Sequence, residues 1–241
     1  MKAYIITLSI ALIVSAFTAS AQVEGGNEDV YDMQQRTNTT LAAFLFTMDE
    51  GATSVQGEPF LYEEWLDGTL FFVDDTVALK MRYHVLNDQL VFIHPHFRKE
   101  YVAKPDQVNG FRWTYRKREQ SFIRWETWFP ELDKTGYAEV LRRGRFWILR
   151  EHRKRIAKAD HKDPFGSSRN FDKIIDQPTQ LLVLDTTNSE LIRWNGSRSD
   201  WKKLVGKALR KRVQEYAERH KLDTKALQDL PALLKFVEES R

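Results

Sequence analysis

Polar and apolar residues alternate with a period of two along much of this chain. In Thr76 to His84, the residues Val77, Leu79, Met81 and Tyr83 alternate with Ala78, Lys80, Arg82 and His84, the pattern of a strand with one buried face. Asn87-Asp88 reads as a turn and Gln89 to His94 as the returning strand. The pattern is clearest from Gly110 to Phe129. There Phe111, Trp113 and Tyr115 oppose Arg112, Thr114 and Arg116, and beyond Lys117 to Gln120 the residues Ile123, Trp125 and Phe129 oppose Arg124 and Glu126. This predicts a hairpin with its aromatic face inside and a basic face outside, Arg124 extending the basic face through cross-strand pairing. Tyr137 to Leu141 and Arg145 to Glu151 form a second hairpin around Arg143-Gly144. Gln180 to Asp185 and Leu191 to Trp194 form a third around Thr186 to Glu190. Between them, Lys154 to Asn170 is charged, contains Asp163-Pro164-Phe165-Gly166 and reads as a surface loop. Strands that follow one another through short turns imply an antiparallel meander.

From Trp201 the period becomes helical. Trp201, Leu204, Val205, Ala208, Leu209, Val213, Tyr216 and Ala217 make one apolar stripe, which predicts burial of Trp201 and Leu209. Ser197 with Asp200 has capping-box spacing, and Gly206 is placed to split the stretch in two. Leu230, Leu233, Leu234 and Val237 define a last helix, with Asp229 as its expected N-cap and Pro231 in the first turn. The fold class expected is α+β: an antiparallel β-meander sheet, open or half-barrel, with C-terminal amphipathic helices and an N-terminal arm. In segments this is a signal peptide over 1–21, an acidic arm or short helix over 22–56, an antiparallel β domain over 57–196, and helices over 197–241 that pack on the sheet.

The leader reading rests on Lys2, an apolar run from Ile5 to Phe17 that is too short to span a bilayer comfortably, and Ala19-Ser20-Ala21 as a small-residue cleavage site. The mature chain then starts at Gln22, with no Cys for a lipid anchor and no second long apolar segment. An exported, soluble protein without disulfides fits a bacterial periplasm or secreted fraction. Charge is distributed unevenly. From Gln22 to Leu79 there are twelve acidic residues against one basic residue, Arg36, whereas beyond Leu79 there are 35 basic residues against 22 acidic ones. The two parts either neutralise one another on folding or leave a basic surface for an anionic partner.

The basic, aromatic middle carries the main candidate site. Arg112, Arg116, Arg124, Arg142, Arg143, Arg145, Arg150, Arg153 and Arg155 lie among Trp113, Trp125, Trp128 and Trp147, residue types that hold polyanions. The candidate binding residues are Arg112, Arg116, Arg124, Trp128, Arg142 and Arg145. The competing reading is a tryptophan core with arginine stems lying over it. In an exported protein the partner expected is an anionic envelope glycan or another envelope protein, and nucleic acid is not expected. His94 and His96 flank Pro95, and on an extended segment both imidazoles would project from one face, a weak metal-site candidate that needs His84 to converge. No nucleophile elbow, phosphate-cradling glycine loop or zinc-protease helix is present. No catalytic residue and no cofactor is assigned. Two alternatives stand beside the binding reading: a carrier with an apolar cavity for a lipid, which requires an uncovered concavity, and an enzyme, which requires ionisable side chains converging in a cleft with perturbed pKa values.

Two stretches carry a family resemblance. The first is Gly57-Glu58-Pro59-Phe60-Leu61, then Glu63-Glu64-Trp65 and Gly68-Thr69-Leu70-Phe71, running into Leu79-Lys80-Met81-Arg82-Tyr83. The second is the tail, from Leu191 through Trp201-Lys202-Lys203-Leu204 and Tyr216 to Leu222, ending in Asp229-Leu230 and Leu233 to Val237. The chain resembles a family of exported proteins from Bacteroidetes-type bacteria that has no assigned activity. The resemblance implies a source and a compartment, and neither stretch is a catalytic motif.

If the leader reading holds, N-terminal sequencing of exported material begins at or near Gln22. Recovery of intact Met1 in the periplasmic or secreted fraction would refute it.

Overall fold

A computed structural model describes residues 45–46, 55–72, 75–158 and 171–240. The leader Met1–Ala21, nearly all of the 22–56 arm and the Asp163-Pro164-Phe165-Gly166 stretch lie outside the described residues. The strands are β1 (Leu45–Phe46), β2 (Leu66–Phe72), β3 (Thr76–His84), β4 (Gln89–Ile93), β5 (Glu100–Ala103), β6 (Val108–Tyr115), β7 (Arg118–Arg124), β8 (Tyr137–Arg142), β9 (Phe146–Ala157), β10 (Lys173–Asp185) and β11 (Glu190–Arg193). The helices are α1 (Trp125–Trp128), α2 (Arg198–His220) and α3 (Leu230–Glu239). All strands join one sheet in the order β1-β5-β4-β3-β2-β6-β7-β8-β9-β10-β11. Two meanders therefore run outward from β2, and the class is α+β with an open antiparallel sheet, as the periodicity predicts. Among the described residues no helix is long and apolar enough to cross a membrane.

The sheet curls strongly. Three strands separate β3 from β8 in the sheet order, which in a flat sheet puts them about 19 Å apart. Yet the Tyr83 ring of β3 meets the Tyr137 ring of β8 at 5.6 Å between centroids. The enclosed face holds Leu70, Met81, Phe92, Phe111 and Phe122, all at most 1% exposed, with Phe111 stacked on its cross-strand partner Phe122 at 4.5 Å. A strap spanning residues 56–61 tightens the curl. Gln56 bonds β10 through Asp172 O and Ile174 N, and a few residues later Pro59 O and Leu61 N bond Val85 and Tyr83 at the end of β3.

The outer face of β7 to β10 is apolar too. Ile123, Ala138, Leu149, Leu182 and Leu184 are covered there by Trp125 and Phe129. Here the structure corrects the sequence reading. The strand stops at Arg124, and Trp125 to Trp128 is one helical turn that ends before Pro130, folding Trp125 and Phe129 over the sheet instead of extending along it. Phe111 and Trp113 are inside and Arg112 outside, as expected, with Tyr115 half-buried. The register pairs Arg112 with Ser121, so Arg124 lies on the opposite face from Arg112 and does not extend its surface. Nor does a loop begin at Lys154, since β9 continues to Ala157 paired with β10 from Lys173. That part of the ribbon has few buried positions, so it carries no apolar alternation to read.

The tail covers the remaining part of the enclosed face. Trp201, Leu204, Val213, Leu233, Leu234 and Val237 pack on Phe146, Ile148, Val183 and Ile192. Trp201 is buried, while Leu209 is only half-buried. The capping box at Ser197 and Asp200 is formed in both directions, and Gly206 breaks the helix with φ 77° and ψ 172°. Asp229 departs from expectation. Its backbone is helical and its side chain makes no cap bond, because its carboxylate accepts instead from Asp223 N at 2.8 Å.

One ion pair clamps the last helix to the sheet. Arg142 donates to both Glu238 oxygens, at 3.1 and 2.7 Å, and Phe146 N donates to the same carboxylate at 3.2 Å. Burial pushes Glu238 up, but the Arg142 guanidinium and the backbone N–H donors outweigh it and hold the carboxyl below its ordinary range. A carboxylate with a depressed folded-state pKa contributes stability that is present above its unfolded pKa and is lost as pH falls through the folded value. Glu238→Gln is therefore expected to cost about 1–3 kcal/mol at neutral pH. Urea denaturation at a series of pH values should show the gap to wild type closing on the acid side of the carboxylate range, and a gap independent of pH would contradict the clamp.

Candidate functional site

The six candidate binding residues separate into two groups. Arg142 is consumed by the Glu238 clamp, and Arg145 pairs with the buried Asp185 at 3.1 Å. Arg124 pairs with Glu126 at 2.7 Å and lies 5.5 Å from the Tyr137 ring centroid. These three guanidiniums hold the fold together. Trp128 is 41% exposed, with its indole N–H donating to Asn109 O, and the exposed Arg143 lies 5.0 Å from its ring and 5.1 Å from Trp147. Arg112 and Arg116 are exposed, and neither has a carboxylate partner among the described residues.

Arg116 occupies an unusual position. It and Lys117 form the two-residue turn of the β6–β7 hairpin, since Tyr115 pairs with Arg118, and both have left-handed backbones, with φ of 49° and 65°. A two-residue turn of this hand strongly favours Asn-Gly, because a side chain with Cβ crowds the following carbonyl there. This chain instead displays three consecutive exposed cations, Arg116, Lys117 and Arg118, at the tip.

The metal geometry is not formed. Residues 94–98 make a turn instead of continuing β4, so His94 is buried while His96 is exposed. The His94 Nδ1 accepts from the backbone N–H groups of His96 and Phe97 at 3.2 and 3.3 Å, and its Nε2 is buried without a partner. Burial lowers the His94 pKa, which keeps the ring neutral and suited to accepting. His84 is spent elsewhere, accepting from Asn87 N and packing edge-on against Phe60. Among the described residues no group of three His, Cys, Asp or Glu side chains is placed to hold a metal ion.

The larger basic surface lies on α2, where the sequence reading saw only an apolar stripe. Arg198, Lys202, Lys203 and Lys207 are exposed and Arg210 is half-buried, and none has a carboxylate within ion-pair distance among the described residues. The one acid in this part of the helix, Asp200, is turned inward, accepting from Asn195 N and Ser197 N at 3.0 Å each. The next turns bring Lys211, which reaches Glu215 only at 3.8 Å, and Arg212, which reaches Ser240 O at 3.5 Å. Burying the stripe fixes both parts of the helix on the sheet, with Arg198, Lys202 and Lys203 before the break at Gly206 and Lys207 and Arg210 after it, and the charges of the two groups add. The spacing of the lysines was visible in the sequence. The capping role of Asp200 was legible too; what was not is that no acid from another element comes within ion-pair distance of these cations among the described residues.

Comparison with protein-family models, with curated proteins and with solved structures returned no match for this chain.

The hairpin tip makes a separable prediction about stability. Replacing Arg116-Lys117 with Asn-Gly should raise stability by about 1–2 kcal/mol, the scale of the left-handed penalty. Chemical denaturation measures this directly, and an unchanged or lower midpoint would show that the tip is not strained.

Proposed function

We propose that this chain is an exported, non-catalytic binding protein of the bacterial cell envelope that holds an anionic envelope glycan on a basic surface centred on the first half of α2. The observation that carries this reading is the run of cations at Arg198, Lys202, Lys203, Lys207 and Arg210 that lacks acidic partners among the described residues. Unneutralised charge on the two helical parts that meet at Gly206 attracts a polymer of phosphates or carboxylates over the Debye length, roughly 8–10 Å at ordinary salt. The cations at the hairpin tip add a second contact, supported by their presence at positions whose left-handed backbone favours Asn-Gly. The leader supplies the compartment, and the resemblance to exported bacterial proteins agrees with it.

The lipid-carrier alternative needs an apolar concavity open to a chain. Side chains from β2, β3, β4, β6 and β7 fill the curled face, and the helices cover its other part. That packing favours a surface-binding reading over a cavity-binding one.

The test is retention on immobilised lipopolysaccharide across a salt gradient. Lys202→Glu, Lys203→Glu and Lys207→Glu together should abolish retention at low salt while the melting curve is preserved, since all three side chains are exposed. Arg112→Glu with Arg116→Glu should weaken retention less. Wild-type binding should fall as salt rises. Equal retention of the α2 variant, or binding indifferent to salt, would overturn the proposal.

A further inference from the structure

A polar cleft far removed in character from the basic helix is built where β9 outruns its neighbour. β8 has six residues and β9 twelve, and the register places Arg150 opposite Glu139, so β9 from Glu151 onward extends past most of β8. The β3–β4 turn and residues 133–137 close around this overhang. They enclose a cleft of about 420 Å³ lined by Asp88, Lys134, Thr135, Glu151, His152 and Gln177, among others. That volume falls in the range of roughly 300–1,000 Å³ typical of small-molecule sites. A recess of about 100 Å³ that shares His152 and Gln177 continues along β9 and β10.

Two side chains in this cleft are held by buried partners. The first is Asp88. Its Oδ1 accepts from the Tyr83 hydroxyl and from Tyr137 N, and its Oδ2 has no partner among the described residues. Oδ2 lies against Gly136, where a Cβ would sit 1.8 Å from it, and Gly136 has φ +85°. Glycine is required there twice over, by its backbone and by the carboxylate. Burial raises the Asp88 pKa in spite of these hydrogen bonds.

The second is His152. Its Nε2 lies 2.9 Å from Glu139 Oε2, and Glu139 is 1% exposed. Glu139 is held in turn by Arg150 at 3.2 Å and by Gln120 at 3.4 Å, and Gln120 accepts from Trp113 and Tyr62. Burial by itself would raise the Glu139 pKa, but the His152 hydrogen bond and the Arg150 charge bring it below the ordinary carboxylate range. The Glu139 carboxylate accepts from Nε2 and fixes the ring, so Nδ1 is the ring nitrogen left without a partner among the described residues.

The charges that line the cleft largely cancel. Glu151 binds Lys134 and Arg153 at 2.5 and 2.6 Å, and Lys154 is engaged by Asp176 and by Glu58 O. Besides His152, the lining holds three carboxylates, Asp88, Asp133 and Glu151, and three cations, Lys134, Arg153 and Lys154. Such a wall offers fixed donors and acceptors without net attraction for an anion, and it lacks the apolar lining that would hold a hydrocarbon.

We propose that this cleft is a binding site for one neutral, hydroxyl-rich sugar residue, which Asp88 and His152 contact through hydrogen bonds to adjacent hydroxyls. Oδ2 of Asp88 accepts from the ligand, Nδ1 of His152 hydrogen-bonds to a neighbouring hydroxyl, and Lys134 or Gln177 donates to it. This inference is independent of the anionic-glycan reading of α2.

The mature full-length chain is titrated with glucose, galactose, mannose and N-acetylglucosamine, and in parallel with glucuronate and inorganic phosphate, while the His152 ring resonances are followed by NMR. At least one neutral sugar is expected to give a saturable shift that persists at high salt and in the Lys202→Glu, Lys203→Glu, Lys207→Glu variant. Asp88→Asn and His152→Gln should each weaken it by about tenfold or more. Because Asp88 is structurally tied, Thr135→Trp is the second probe. Position 135 is exposed at the cleft, so the indole should block the ligand without disturbing the core, and an unchanged melting curve checks this. No saturable shift with any of the four sugars, a preference for glucuronate or phosphate, or undiminished binding to a folded Thr135→Trp variant would each overturn the assignment.

Discussion

The structure depends on how one sheet buries an aromatic face with no second sheet to cover it. Phe111, Phe122, Tyr83 and Tyr137 come from four different strands, and the Tyr83 and Phe111 rings each lie 4.5 to 6.0 Å from the other three. Aromatic side chains bury more area than any others, so bringing these rings into contact compensates the bending of the ladder between them. The curl then determines what else can exist. It leaves a mouth that the strap at residues 56–61 must span, and a region toward β10 and β11 that curls too little to cover itself and needs helices.

That division explains where the arginines went. A basic, aromatic segment suggests a binding face when it is read in one dimension. In three dimensions its guanidiniums do structural work: Arg142 fixes α3, Arg145 fixes the β10–β11 turn through Asp185, and Arg124 lies over Tyr137 beside Glu126. Cations are freed elsewhere by the same economy. The single acid early in α2 is turned inward by the cap at Ser197, so it forms no ion pair with the exposed lysines around it. Surplus charge is therefore decided by where the acids are needed, and less by where the bases are dense.

Legibility followed the asymmetry of each element's surroundings. β3 and β6 have one dry face and one wet one, and Val77 to Tyr83 and Phe111 to Trp113 announce it with strict alternation. The tail was legible for the same reason, down to the capping box and the break at Gly206. The outer half of the β9–β10 ribbon has few buried positions, so its strands read as a charged loop. Trp125 and Phe129 fit the strand period by coincidence, with nothing before Pro130 to mark the change to a helical turn. The cleft was invisible in the sequence because Asp88 reaches Gly136 and Tyr137 only through the curl, while Glu139 and His152 meet across the β8–β9 ladder. The one local hint was Glu139, an acidic residue at an inward position among Tyr137, Ala138, Val140 and Leu141.

The place of β2 in the sheet has a consequence for the order of assembly. β2 is the first long strand among the described residues, yet it sits near the middle of the sheet, with β3 on one side and β6 on the other. Its pairing with β3 closes a short turn, whereas its pairing with β6 waits for β3, β4 and β5 to be laid down on the far side. Until then β2 presents an open row of backbone donors and acceptors beside Leu70, a template for pairing between chains. Loop closure of that length also slows folding relative to a simple hairpin series. Holding the β2 edge apart from other copies during that interval is a matter of kinetics, and not of the stability of the finished sheet.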